Sequence, residues 1–211
     1  MKETTILYPS SCFGKGVHSG RDVQITLKPA NSGTGIVFVR TDLRADLSNF
    51  VKASYDAVSE TKLSTTISPE SGLFSISTIE HLMAAIWGCG VDNLIIEIDG
   101  PEVPIMDGSS KPFVFMLECA QKKFLQSSRK QLIINKEIYV ENRDSLSVVK
   151  PSNSFAINLN IDFPSKAIGK QSITYNNRNL FTTDVAAART FGFLHELEYL
   201  QSIGLAKGAS L

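Results

Sequence analysis

Ser77-Thr78-Ile79-Glu80-His81-Leu82-Met83-Ala84-Ala85 is the stretch from which the rest of the chain can be ordered. Ile79, Leu82, Met83 and Ile86 recur at helical spacing and predict one apolar stripe. Each residue turns by about 100° on a helix, which sets Glu80, His81 and Ala84 off that stripe. Ser77 is a suitable N-cap, and Glu80 then falls at N3, the capping-box position. That alone accounts for Glu80 and His81 as the first turn of a capped helix. It also leaves a carboxylate beside an imidazole, with the small Ala84 making room above them.

Working outward, Gly88 and Gly90 are the candidate stops of this helix, since glycine serves well after a last turn. Asn93-Leu94-Ile95-Ile96-Glu97-Ile98-Asp99 follows as a strand rich in β-branched residues. Gly100 to Ser109 is a loop stiffened by Pro101 and Pro104. Pro112 suits the first turn of a second helix, with Phe113, Phe115, Met116, Leu117 and Ala120 expected to bury it. Upstream, Val23-Gln24-Ile25-Thr26-Leu27 alternates as a half-buried strand does. Ile36 to Arg40 is a second strand, and Leu63 to Ile67 a further one. Gly14 to Gly20 is glycine-rich but lacks the spacing and the following helix of a phosphate loop. Residues 1–125 therefore predict an α+β two-layer sandwich domain.

Gln121 to Lys130 is polar and basic and is placed at a domain boundary. Beyond it, Leu132 to Ile134, Glu137 to Val140, Leu146 to Val149 and Phe155 to Ile161 have strand patterning. Asp184 to Arg189 and Glu196 to Leu200 look helical, the latter stopping at Gly204, and Gly208 to Leu211 carries no evident element. Residues 126–211 begin like a second α+β layer with too few helical residues to cover its sheet.

The charge balance narrows the function classes. Lys plus Arg equals Asp plus Glu at 21 each, so no basic excess favours a nucleic-acid or anionic-membrane surface. No apolar run is long enough to span a bilayer, and no secretory signal core follows Lys2 and Glu3. Cys12, Cys89 and Cys119 are odd in number and lack metal-type spacing, which suits reduced thiols in a cytoplasmic protein.

Three stretches jointly carry a resemblance: Ser77 to Leu82, Pro101-Glu102-Val103-Pro104-Ile105-Met106-Asp107-Gly108-Ser109, and Ala188-Arg189-Thr190-Phe191-Gly192-Phe193. Gly16 to Gly20 and Glu198 to Ser202 add to it. In this order they resemble the UDP-3-O-acyl-N-acetylglucosamine deacetylases, the LpxC family of lipid A biosynthesis. The resemblance implies two α+β sandwich domains of similar topology, each with an insert, and zinc-dependent removal of acetate from an acylated UDP-sugar. It implies that Glu80 is the general base toward a zinc-bound water, His81 a zinc ligand and Thr190 a hydrogen-bond donor to the oxyanion. It implies that Asp162 and Phe163 meet the uracil. Leu194, Leu197, Leu200 and Ala206 would form the acyl passage, flanked at its mouth by Leu63 and Phe191. His18 matches a family histidine near the site entrance.

That chemistry is coherent. Zinc brings the pKa of its water to about 7 and polarises the amide carbonyl; a neighbouring carboxylate relays the proton. An acyl chain needs an apolar channel, each buried CH₂ being worth about 0.8 kcal/mol. A catalytic zinc takes three protein ligands. By the resemblance, the others come from a later His-Lys-x-x-x-Asp motif, with a further histidine beyond it. This sequence has only His18, His81 and His195, the last read as a surface residue, and so is expected to be C-terminally truncated within its second domain. Two readings follow: a deacetylase by descent, or a non-catalytic chain retaining acyl or nucleotide binding.

Overall fold

The structure, a computed structural model, describes residues 1–44, 48–142, 145–176 and 180–210. It is a mixed α and β protein with few helices and several sheets. Contacts divide it into two compact units, Met1–Arg129 with Phe181–Leu211, and Lys130–Leu180.

The first unit is built on a five-stranded sheet. Its strands are β2 (Ser10–Lys15), β3 (Asp22–Pro29), β4 (Ile36–Arg40), β5 (Phe50–Lys52) and β8 (Leu94–Ile98), in the order β2-β3-β8-β4-β5. Only β4 and β8 run parallel. The period-two alternation read in the sequence works as expected. Val23, Ile25 and Leu27 of β3 are buried, with Ile36 and Phe38 of β4 and Leu94, Ile96 and Ile98 of β8. On the opposite face Ser11 and Thr26 pair hydroxyls at 2.9 Å and Lys28 meets Glu97 at 2.6 Å. Of the expected strand Leu63 to Ile67, only β7 (Thr66–Ile67) forms, paired with β6 (Val58–Glu60).

Helix α1 (Glu80–Cys89) buries Leu82, Ala85 and Ile86 and closes at Gly90, whose φ of 71° is the left-handed stop expected there. Met83, placed in the stripe from the sequence, is only half-buried and lines an open apolar pocket with Ile79, Tyr55 and Ile67. Helix α2 (Lys111–Cys119) has Pro112 in its first turn and packs on α1. Phe115, expected in the core, is 66% exposed and Val114 is buried in its place. Two residues on a helix differ by about 200°, so Phe115 points away from Phe113.

The polar stretch 121–130, placed at a domain boundary from the sequence, is largely a strand. It forms β9 (Lys122–Ser128), antiparallel to β1 (Lys2–Ile6). Its side chains are nearly all exposed, so backbone bonding rather than an apolar pattern holds it, and Arg129 ties its end to Asp92 at 2.8 Å. The second unit consists of two hairpins, β10 (Ile138–Asn142) with β11 (Ser145–Val149), and β12 (Ile157–Asp162) with β13 (Lys170–Tyr175). Leu132 to Ile134, expected as a strand, has no regular structure, and Leu132 is exposed.

The expected helix at Asp184 to Arg189 is also corrected. A single π-helical turn spans Phe181–Val185, with the Ala186 N–H donating to the Phe181 carbonyl at 2.9 Å. Phe181 is buried edge-on to Trp87 at 6.2 Å. Helix α3 (Leu194–Ser202) then ends before Gly204, whose φ is 84°. Residues 208–210 carry no helix or strand, and Leu211 lies outside the described residues. No helix among the described residues is long and apolar enough to cross a membrane. Cys12, Cys89 and Cys119 form no disulfide among the described residues, and burial pushes the Cys12 thiol up to about 11.

Candidate active site

Helix α1 does not begin as a capping box. Its first residue is Glu80, Ile79 before it already has helical φ and ψ, and no side chain caps the turn. Thr78 stands at φ 58°, a left-handed conformation that β-branched residues rarely take. The chain therefore turns sharply at Thr78, and the Ser77 hydroxyl donates instead to the Pro101 carbonyl at 3.3 Å. The expected roles of Ser77 as N-cap and Glu80 as N3 are thus overturned. The Glu80 carboxylate accepts from the Thr65 backbone N–H at 2.9 Å, while the Ile79 N–H donates to the Thr65 carbonyl at 3.3 Å. These two bonds fasten the Leu63 loop to the helix start. Leu63 itself is exposed, with φ 65°. Glu80 and His81 are both half-buried.

A second carboxylate organises the neighbouring segments. Glu102 is 1% exposed and accepts three hydrogen bonds. They come from the His18 N–H at 2.9 Å, the Ser19 N–H at 2.8 Å and the Thr78 hydroxyl at 3.0 Å. Gly16 makes room for it, since a Cβ there would lie 2.3 Å from Glu102 Oε2. The His18 ring is half-buried, and its Nδ1 is enclosed without a hydrogen-bond partner. Residues 207 and 208 bond to the same loop, Gly208 N–H to the Val17 carbonyl at 3.0 Å and Lys207 N–H to that of His18 at 3.4 Å.

Thr190 is fixed through its backbone, its N–H donating to the Gly108 carbonyl at 2.8 Å, and its side chain is exposed. The loop it joins is braced by Asp107, which accepts from the Ser109 N–H at 3.0 Å and hydroxyl at 2.7 Å. Burial raises the Asp107 pKa, but the Ser109 bonds and the Arg189 charge outweigh it and hold the carboxyl below its ordinary value. Asp42 is held low by its side-chain bonds to Arg40, against partial burial. A carboxyl whose folded pKa is depressed contributes stability above its unfolded value of about 3.9, and loses it as pH falls through the folded one. Urea midpoints are expected to fall on acidification below about pH 4. Asp107→Asn and Asp42→Asn should each flatten that slope; an unchanged slope in both would remove these groups from the acid response.

Five non-glycine residues among those described have positive φ: Leu63, Thr78, Met106, Gln121 and Ala206. All but Gln121 lie in segments that carry expected site residues or border Thr190. Such conformations cost on the order of 1–3 kcal/mol each and cluster at functional sites.

The remaining expected residues are placed as follows. Phe191 is exposed and edge-on to Phe193 at 5.8 Å. Leu194, Leu197 and Leu200 share one face of α3, a helix with no buried residue. Ala206 is buried at φ 54°. His195 is exposed and stacked on Phe193, as its surface reading required. Asp162 and Phe163 belong to the second unit, at and just after the end of β12. There Asp162 faces Lys170 at 3.6 Å and the Phe163 N–H donates to Gly169 at 3.1 Å. Among the described residues no three His, Cys, Asp or Glu side chains come together to hold a metal ion. His81 is one imidazole where a catalytic zinc takes three protein ligands, so the described donors by themselves do not fit that metal. Glu102 and the Thr65 amide were missed from the sequence. An acid set between Pro101 and Val103-Pro104 was the available sign of a buried carboxylate.

A carboxylate–imidazole pair at a helix start, the carboxylate oriented by a neighbouring loop amide, is a site suited to hydrolytic proton transfer. The chain belongs to the LpxC family, UDP-3-O-acyl N-acetylglycosamine deacetylase, whose model matches residues 3–211. It is similar to the UDP-3-O-acyl-N-acetylglucosamine deacetylase of Geobacter sp. (strain M21), with 46% identity over 200 residues, 94% of this chain. It is also similar to those of Phenylobacterium zucineum (strain HLK1) and Pasteurella multocida (strain Pm70). These are 42% and 41% identical, each across 100% of this chain. The chain spans 64% of the length of the Geobacter protein, 72% of the Phenylobacterium one and 69% of the Pasteurella one.

Proposed function

We propose that this chain carries the base-bearing part of a cytoplasmic, zinc-dependent deacetylase that removes acetate from UDP-3-O-acyl-N-acetylglucosamine on the route to lipid A. The observation that carries the reading is the Glu80 carboxylate, which is not spent on capping but held by the Thr65 amide beside His81. In this reading Glu80 takes a proton from water as the oxygen attacks the acetamide carbonyl. The Thr190 hydroxyl donates to the oxyanion. Glu80 then returns the proton to the departing amine, so that acetate and a free amine leave. His81 would be one ligand of a zinc ion, which when bound would polarise the carbonyl as a Lewis acid. Leu63 and Phe191 flank the entrance, Leu194, Leu197, Leu200 and Ala206 line the acyl passage, and Asp162 and Phe163 take the uracil. The one-sided burial of β3, β4 and β8 and the packing of α1 on α2 support a two-layer sandwich for the first domain.

A second reading is favoured because no three metal-binding side chains gather among the described residues: a chain that binds acyl or nucleotide groups without turnover. For the isolated chain we expect weak zinc binding, lost in His81→Ala and kept in Glu80→Ala, with negligible acetate release. Zinc content of the dialysed protein and acetate release from the acylated UDP-sugar provide the check. Tight one-to-one zinc with ordinary turnover would overturn the one-ligand expectation. Zinc binding indifferent to His81→Ala would overturn the assignment of His81.

A further inference from the structure

We propose that Glu102 is a positioning residue: it locks Thr78 in its left-handed turn and thereby fixes where α1 begins and how Glu80 and His81 are aimed. Its functional meaning rests on the deacetylase reading of those two residues; the geometry does not. Residue 77 is clamped on the near side, its N–H donating to Pro101 at 2.9 Å and its carbonyl accepting from Val103 at 3.0 Å. On the far side Ile79 is bonded to Thr65. The reversal between the two clamps falls on Thr78, at φ 58°. A β-branched residue does not rest there without a tie. The tie is the bond from its hydroxyl to Glu102 at 3.0 Å.

Glu102 can serve because it is otherwise satisfied. A buried carboxylate requires several donors, and the His18 and Ser19 amides supply two more. One side chain therefore sets both the His18 loop and the start of α1. Glutamine cannot replace it, since its NH₂ accepts nothing and at least one of the three donors would face another donor.

The chain's three histidines make the test direct, with exposed His195 as an internal reference. Imidazole resonances would be recorded at one fixed pH, well below the melting temperature. Glu102→Gln is expected to displace the His18 and His81 signals by more than a linewidth and leave His195 in place. Thr78→Val, which removes only the hydroxyl, should displace His81 alone. Thr78→Gly in the Glu102→Gln background should bring His81 back toward its original position, because glycine holds a positive φ without a tie. A role in stability alone would lower the melting temperature without moving these signals. His81 unmoved in both Glu102→Gln and Thr78→Val would overturn the proposal; should Glu102→Gln fail to fold, Thr78→Val decides it. The zinc content of the parent chain against His81→Ala tests the deacetylase reading separately, so either idea can fall while the other stands.

Discussion

Replacing Gly88 with alanine is expected to destabilise the first unit, although alanine is the better helix former. In an isolated helix the exchange would gain about 1 kcal/mol. Here a Cβ at position 88 would lie 2.0 Å from Cδ1 and 2.4 Å from Cγ of Phe181. That ring is buried and set edge-on against Trp87, so it has little room to retreat. Overpacking of this kind costs about 1–3 kcal/mol, enough to cancel the propensity gain and exceed it. Phe181→Ala, which empties the site, should cost about 3–5 kcal/mol. In that background Gly88→Ala should change sign and stabilise. Trp87 is the only tryptophan, so urea unfolding followed by its fluorescence reads the contact itself. An equal loss from Gly88→Ala in both backgrounds would show that Phe181 is not the reason for glycine at that position.

Removing the Glu102 side chain is the second large effect expected. Glu102→Ala leaves the His18 amide, the Ser19 amide and the Thr78 hydroxyl facing a vacated space. A buried donor without a partner costs about 1–3 kcal/mol. Water entering the space would recover part of this. A net loss of about 2–4 kcal/mol is expected, a large share of the 5–15 kcal/mol that typically holds a domain together. Equilibrium urea unfolding measures it. A loss under about 1 kcal/mol would mean that the three donors find other partners and that the buried carboxylate is not a structural hub.

The parts of the fold that follow from side-chain pattern were legible. The β3 and β4 strands and the stop at Gly90 fall where strand patterning and turn chemistry put them, and His195 is exposed as read. The family was legible as well, because three motifs in order carry it. Features governed by tertiary bonding were not. β9 is polar and held through its backbone, so no alternation announces it. Phe181 packs where Gly88, far away in sequence, leaves room for its ring, and the segment forms a single π turn over Phe181–Val185 with no helix over the following alanines. The start of α1 was misread for the same reason. Ser77 matches a local capping rule, but Pro101, Val103 and Glu102 compete for residues 77 and 78 and prevail.

The bonds from Lys207 and Gly208 to the His18 loop have a bearing on how the chain is made. They join residues far apart in sequence, the kind of contact that forms late and slows folding. The strand core and α1 can assemble while synthesis is under way, since domains form as their residues emerge. The His18 loop cannot reach its final arrangement until residue 208 has left the ribosome. Through that interval its Val17 and His18 carbonyls are hydrated, and the completed loop follows the strand core rather than forming with it.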